Sequence, residues 1–342
     1  MGREQNSAIW NAFREGATRP SWLALGLAIV TATAWITAAN TLITPESVMD
    51  HASYYARGPA DHAAIVTSRA LRLASSDPAE RRMIIVGAVA NLAGLSANAA
   101  EQRLEELANA ATAVVDLRYP SQTLWESAAL ADAAPFALRG VLVLDVTSDA
   151  FVADIRRLTA LNARPRLGCR FAAWHEELAV AGLEAPPLRG YYFLDNQSFF
   201  LARIPTMARN LPRVIAGGAD ELFESETTTA DANAASRVMT DSQSPITAAE
   251  SLHVELNTAV IERIARRLAR NSELNFLLVA EENDLAVTSH LTESLQSIAQ
   301  RHDNAHYLAA NLSRQMPAEL VDEALHTVAA ILEQSSRRRG SP

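Results

Sequence analysis

The stretch Arg82-Met-Ile-Ile-Val-Gly-Ala-Val-Ala-Asn-Leu-Ala-Gly-Leu-Ser96 decides the fold class. Met83 to Val86 is a short apolar run, β-branched at Ile84, Ile85 and Val86, and it ends at Gly87. A helical pattern begins near Ala97. A buried strand, a glycine corner and then a helix is how open parallel α/β sheets begin, and ligands in such sheets sit at the carboxyl ends of strands. The turn from Gly87 to Asn91 is therefore the first place to look for chemistry. It holds Ala88, Val89 and Ala90, none of which carries a reactive group.

Downstream, the strand–helix rhythm continues. Ala113–Leu117, Gly140–Val146 and Asn275–Ala280 read as strands, with Ala305–Leu308 as a short edge strand. Helical patterns lie between them over Asn98–Ala111, up to about Ala134, Asp149–Leu161, Ala248–Arg270 and Thr288–His302. Glu319–Gln334 forms a last helix. Alternation of this kind predicts an α/β fold, a three-layer α/β/α sandwich around a parallel sheet, spanning 81–334. Residues 164–247 read as an inserted helical and loop region broken by Pro165, Pro186, Pro187, Pro205 and Pro212. Its aromatic residues, Tyr191–Phe193 with Phe199 and Phe200, either line a cleft or pack the insert, and packing is the commoner fate. Gly217–Pro245, acidic and threonine-rich, reads as a lid or as a solvated loop. Residues 335–342 form a polar tail.

Ahead of the domain, residues 1–20 are polar, with Arg3, Arg14 and Arg19 outweighing Glu4 and Glu15. Residues 21–43 then carry no charge and are mostly apolar, long enough for a helix to cross a bilayer. Basic residues before the segment, with Glu46 and Asp50 after it, orient the N-terminus inward. The expectation is an uncleaved single-pass anchor in the inner membrane, with 1–20 cytoplasmic and the C-terminal domain periplasmic or extracellular. A signal peptide cleaved near Ala38-Ala39 and a buried core helix are the competing readings. Residues 44–80 read as a juxtamembrane helical segment, either a stalk or a first helix on the domain.

Composition excludes several classes. A net charge of −9 argues against nucleic acid as the main partner. All 30 basic residues are arginine, which removes Schiff-base chemistry and lysine-dependent phosphate loops. Cys169 is the only cysteine, so no intramolecular disulfide forms. No metal site and no cofactor is expected. His302 and His306 are spaced as on one helix face but lack further ligands, with a strand expected to begin between them. His175-Glu176-Glu177 has no second histidine, and Gly87 and Gly94 do not make a dinucleotide motif. Arg164, Arg166 and Arg170 form a small basic patch with a solvated face as its default role.

The order of elements from Arg82 to Gln334 resembles the SGNH (GDSL-like) hydrolase superfamily in a membrane-anchored, exported form. The resemblance implies a serine nucleophile at the first strand's corner, where Ala88 or Val89 stands. It also implies an oxyanion-hole donor in the next strand-loop, here Val115-Asp-Leu-Arg-Tyr-Pro-Ser-Gln-Thr-Leu-Trp-Glu126, with Ser121 at the expected glycine. An Asp-x-x-His motif should precede the last helix. Asp322 and His326 are the matching pair, spaced four apart instead of three, and His326 doubles as an ordinary helix position. Asp303-Asn-Ala-His306 has the usual spacing, about one element too early. On this resemblance Asp322 and His326 are the catalytic candidates, and Gly87, Asn91, Ser121 and Gln122 are the substrate-binding ones. Asn91 reads equally as a polar group in the cleft or as a helix cap.

Two functions follow as expectations. One is a weakly catalytic or non-catalytic domain that binds a cell-surface glycan or exopolysaccharide machinery concerned with O-acyl modification or assembly. The other is an active serine esterase or acyl-transferase on glycan acetyl esters, with a nucleophile displaced to Ser121 or Ser96. A serine triad needs hydroxyl, imidazole and carboxylate in contact, so geometry separates the two.

Overall fold

The computed structural model describes residues 22–58, 61–89, 91–135, 137–151, 166–169, 179, 182, 184, 187–215, 248–270, 273–281, 286–310 and 317–339. The lid-like stretch Gly217–Pro245, the His175 segment, Arg164, Arg170 and most of the helix expected over Asp149–Leu161 lie outside the described residues.

Among the described residues four helices precede the sheet: α1 (Trp22–Leu42), α2 (Pro45–Asp50), α3 (Ala52–Tyr55) and α4 (His62–Ala74). α1 is long and apolar enough to cross a membrane. The chain then turns at Thr44, which caps α2 through a reciprocal pair of bonds with Ser47. Asp61 caps α4. Residues 44–80 are not a free stalk, because Val48, Tyr55, Val66 and Leu73 join the main apolar core.

The sheet contains β1 (Arg81–Gly87), β2 (Ala113–Asp116), β3 (Arg139–Val146), β4 (Leu274–Glu281) and β5 (Ala305–Ala310). All pairings are parallel, in the order β2-β1-β3-β4-β5. The chain reverses direction across the sheet between β1 and β3, the switch point at which open α/β sheets place ligands.

The remaining helices among the described residues are α5 (Ala97–Ala108), α6 (Leu124–Ala131), α7 (Ser148–Phe151), α8 (Tyr192–Asp195), α9 (Gln197–Leu201), α10 (Ile204–Ile215), α11 (Ala248–Ala269), α12 (Ala286–Arg301) and α13 (Pro317–Arg339). Strand alternation sorts the core into two layers. Met83, Ile85, Val141, Val143, Leu277 and Val279 pack with Leu104 of α5 and Leu320, Leu325 and Val328 of α13. Ile84, Val86, Leu142, Leu144, Phe276 and Leu278 pack with α6, α11 and α12 on the other face. Both faces are covered, as the near-continuous apolar strands require.

Two glycines set the spacing at the sheet's centre. Gly87 and Gly140 lie at opposite ends of the β1–β3 pairing, opposite Asp145 and Arg82. Each has positive φ, +120° and +145°. A Cβ at Gly87 would lie 2.1 Å from the Asp145 carbonyl oxygen, and one at Gly140 would lie 1.8 Å from that of Arg82. The glycine that ends the first strand is thus needed for backbone approach.

Near the C-terminus, α13 continues through Ser335 to Arg339, into the stretch read as a polar tail. The Ser335 hydroxyl faces Asn275 of β4 at 3.0 Å, which fastens that last turn to the sheet.

Candidate functional site

The carboxyl ends of β1, β2 and β3 converge on four polar side chains. Asp145, at the end of β3, is fully buried. Its carboxylate accepts from Asn91 Nδ2 at 2.8 Å and from the Leu92 amide at 3.2 Å. Asn91 Nδ2 also donates to the Val146 carbonyl at 3.0 Å. Asn91 therefore clamps the loop after β1 to the end of β3. It does not cap α5, which is capped by Ser96.

Arg118 supplies the second half of the network. Its guanidinium makes a fork with Asp116 at the end of β2, Nε to Oδ1 at 2.9 Å and Nη2 to Oδ2 at 2.8 Å. It also donates to the carbonyls of Leu92 at 2.6 Å and Leu95 at 3.3 Å, and lies 3.9 Å from the Asp145 carboxylate. Burial penalises the charge on Asp116, yet the adjacent Arg118 outweighs it and holds the carboxyl below its usual range. Burial likewise disfavours the Arg118 cation, but Asp116 and Asp145 raise its pKa overall. One buried cation between two carboxylates ties the ends of β2 and β3 to the β1–α5 loop.

The corner itself is chemically bare. Ala88 and Val89 are half-buried beside Gly87 and Asn91. No hydroxyl stands where a strand-corner nucleophile would.

Ser121 and Gln122 lie on the loop from β2 to α6. Ser121 is exposed and has φ +58°, the left-handed conformation at which the resemblance expects glycine. Its carbonyl accepts from Arg166 Nη2 at 2.9 Å. Gln122 is buried, accepts from the Tyr119 amide at 3.2 Å and reaches the Ser127 hydroxyl at 3.0 Å. Arg166, the described member of the small basic patch, is bonded to Glu126 and lies over the Tyr119 ring, 4.9 Å from its centroid. These bonds hold the loop and the first turn of α6.

Asp322 and His326 are neighbours one turn apart on α13. His326 Nδ1 lies 2.8 Å from the Asp322 carbonyl and 3.3 Å from its carboxylate. The Asp322 carboxylate also accepts from Arg103 of α5 at 3.1 Å. Both side chains are about half-exposed and sit on the sheet face that α5 and α13 cover. Ser121 leads into α6 on the opposite face. The structure thus brings Gly87 and Asn91 together at the switch point, Ser121 and Gln122 together beside it, and Asp322 and His326 together elsewhere. It joins none of these groups into a serine–histidine–carboxylate contact.

The residues that sequence reasoning missed are Asp116, Arg118 and Asp145. Their signal was present: an acidic residue closing each of two apolar strands, and an arginine two positions after the first. As for metals, no group of three or more His, Cys, Asp or Glu side chains among the described residues is arranged to hold an ion. His302 follows the end of α12 while His306 is in β5, so the two do not share a helix face.

The chain matches no family model, and neither a curated protein nor a solved structure shows significant similarity to it.

Proposed function

We propose that this chain is a membrane-anchored, SGNH-like α/β domain that has exchanged chemistry for binding, displayed outside the inner membrane and serving cell-surface glycan modification or assembly. The observation that carries the non-catalytic part is the network of Asn91, Asp116, Arg118 and Asp145. Polar groups at the switch point of such a fold normally converge on a ligand. Here they converge on one another, beside a corner formed by Ala88 and Val89.

The strand order 2-1-3-4-5 supports the comparison with that superfamily at the level of fold only. The membrane anchor rests on the length and apolar character of α1. The glycan partner rests on the resemblance.

The test uses the full chain in detergent or nanodiscs, assayed on a small acetyl ester beside Ala88→Ser, Val89→Ser and Ser121→Ala. The expected result is no turnover above buffer in any of them, together with retention on an acetylated surface polysaccharide. Hydrolysis by the parent chain that Ser121→Ala removes would replace this reading with a displaced-serine esterase. Failure to retain any surface polysaccharide would remove the glycan from it.

A further inference from the structure

Helix α10 is amphipathic in a sense opposite to that of a helix packed on a water-soluble domain. Ile204, Ala208 and Leu211 follow the i, i+4, i+7 spacing of one stripe, and all three are exposed. The other side carries buried polar groups beside the half-buried Met207. Asn210 Nδ2 donates to the carbonyls of Ser53, Tyr54 and Ala56 at 2.9–3.3 Å, and Thr206 is buried beside it. Arg203, just ahead of the helix, makes a buried ion pair with Asp61 at 3.1 Å. The domain has taken in the hydrogen-bonding residues with Met207 and turned Ile204, Ala208 and Leu211 outward. Leu188, Tyr191 and Leu201 of the same insert are also exposed, so that these side chains with Ile204 and Leu211 keep 44–60% of their surface accessible. Apolar exposure on this scale, concentrated in one segment, marks an interaction surface.

The rest of the chain says what covers it. Trp35 of α1 meets Phe193 of α8 edge to face, with ring centroids 5.5 Å apart. Ala39 and Ile43 are buried in the core that also holds Phe193, Phe199 and Phe200. The last two turns of α1 therefore lie against the insert and not above it. Trp35 precedes the end of the helix at Leu42 by seven residues, about 10 Å of rise. α1 is roughly 31 Å long, just the thickness of a bilayer's hydrocarbon. A membrane that accommodates α1 must then reach the level of Phe193.

We propose that the 188–211 segment is a second, monotopic membrane contact. The stripe of Leu201, Ile204 and Leu211, with Tyr191, lies in the bilayer interface beside α1 and seats the domain directly on the lipid. Interfacial helices bury an apolar face about 5–10 Å deep, which agrees with the depth set by the Trp35–Phe193 contact. This proposal rests on the reading of α1 as a membrane span, and the experiment separates the two.

Single cysteines are placed by Ile204→Cys, Leu211→Cys, Ile29→Cys and Ala330→Cys in a full-length Cys169→Ser background. Each is labelled with an environment-sensitive fluorophore and reconstituted into phosphatidylcholine–phosphatidylglycerol nanodiscs, with and without nitroxide-bearing acyl chains. The expected result is loss of most emission from labels at 29, 204 and 211, and none from 330, which lies on the outer face of α13. Quenching at 29 without quenching at 204 and 211 overturns the monotopic contact and leaves the span intact. A label at 204 or 211 that is shielded from water yet unquenched by lipid points to a second copy or a protein partner, and also overturns it. No quenching at 29 overturns both. Hydroxyl-radical footprinting of the unsubstituted chain in the same nanodiscs provides a second reading free of any folding effect of the cysteines. Tyr191, Leu201 and Leu211 should be protected while His326 is oxidised; oxidation of all four overturns the proposal.

Discussion

Arg118 and Asp116 sit two residues apart, yet their side chains close a two-bond fork, at 2.9 and 2.8 Å, with only 2% of the Arg118 side chain exposed. The same guanidinium holds two carbonyls of the β1–α5 loop and stands 3.9 Å from Asp145. Removing it takes away the cation that is bonded to Asp116 and faces the fully buried Asp145. Breaking a buried pair from one side costs about 3–5 kcal/mol. Arg118→Met, which keeps much of the volume, is therefore expected to lower the urea midpoint sharply at neutral pH, and Arg118→Lys to rescue it poorly because it cannot reproduce the fork.

The pH dependence of that loss has a definite sign. Asp116 has its folded pKa below the unfolded value, so its stabilisation is present above about pH 4 and is lost as pH falls through the folded value. In Arg118→Met, burial, which raises the same carboxyl, is opposed only by weaker pulls, that of Arg69 among them. The deficit relative to the parent chain should shrink between pH 7 and pH 4. Urea titrations of both chains across that range check it, and a deficit that stays constant would show that Asp116 does not carry the coupling.

Gly87 poses a separate demand from the ion network. A methyl group there meets the Asp145 backbone at 2.1 Å, and φ +120° is strained for any side chain. Backbone on the partner strand cannot move aside without parting β1 from β3. Gly87→Ala is expected to cost more than about 4 kcal/mol, among the largest effects of single substitutions. Gly94→Ala, where no atom lies within 4 Å of the added group, should leave the midpoint unchanged. Comparing soluble yield and unfolding midpoints of the two variants checks this, and similar values for both would contradict the geometry.

These two sites show what the sequence made legible. The apolar run Met83–Val86 and the glycine after it were enough to place β1 and its corner, since burial on both faces demands that pattern. The positions of Asn91 and Ser121 near the strand ends followed from element order. What the sequence could not convey was pairing between strands. Asp116 and Asp145 are about thirty residues apart, and only the β1–β3 and β1–β2 registers bring them to one cation. The inverted character of α10 was hidden for a similar reason. Periodicity shows two faces of a helix but not which one the domain takes in, and Asn210 faces inward only because three carbonyls of the 53–56 turn await it.

Cys169 offers a test of the seam beneath the insert. It is buried, and burial pushes its thiol up to about 12 against a weaker opposing hydrogen bond from Thr67. At pH 8 the folded chain should resist iodoacetamide, while the unfolded chain is alkylated at the rate of an ordinary thiol. The folded state keeps the proton that the unfolded state releases near pH 8.5, so stability should fall as pH rises from there toward about 12. Alkylation in urea-free buffer, followed by mass, checks the first point. Rapid labelling at pH 8 would mean that the seam opens in solution.

The junction of α1 with the domain makes a prediction about where the chain can be cut. A chain starting at residue 45 looks like the natural soluble portion, because α1 ends at Leu42. It would nevertheless lose Trp35 from the face of Phe193, and Ala39 and Ile43 from the core. Their loss leaves apolar surface uncovered around Phe193 and Phe200, a cost on the order of 2–4 kcal/mol by the usual scale for buried apolar groups. A chain starting at residue 34 keeps all three contacts. Urea unfolding in mild detergent should therefore give residues 34–342 a midpoint close to that of the full chain, and 45–342 a clearly lower one. Equal midpoints for the two cut chains would mean that the end of α1 adds nothing to the domain, and would also remove the geometric basis for seating the insert in the bilayer.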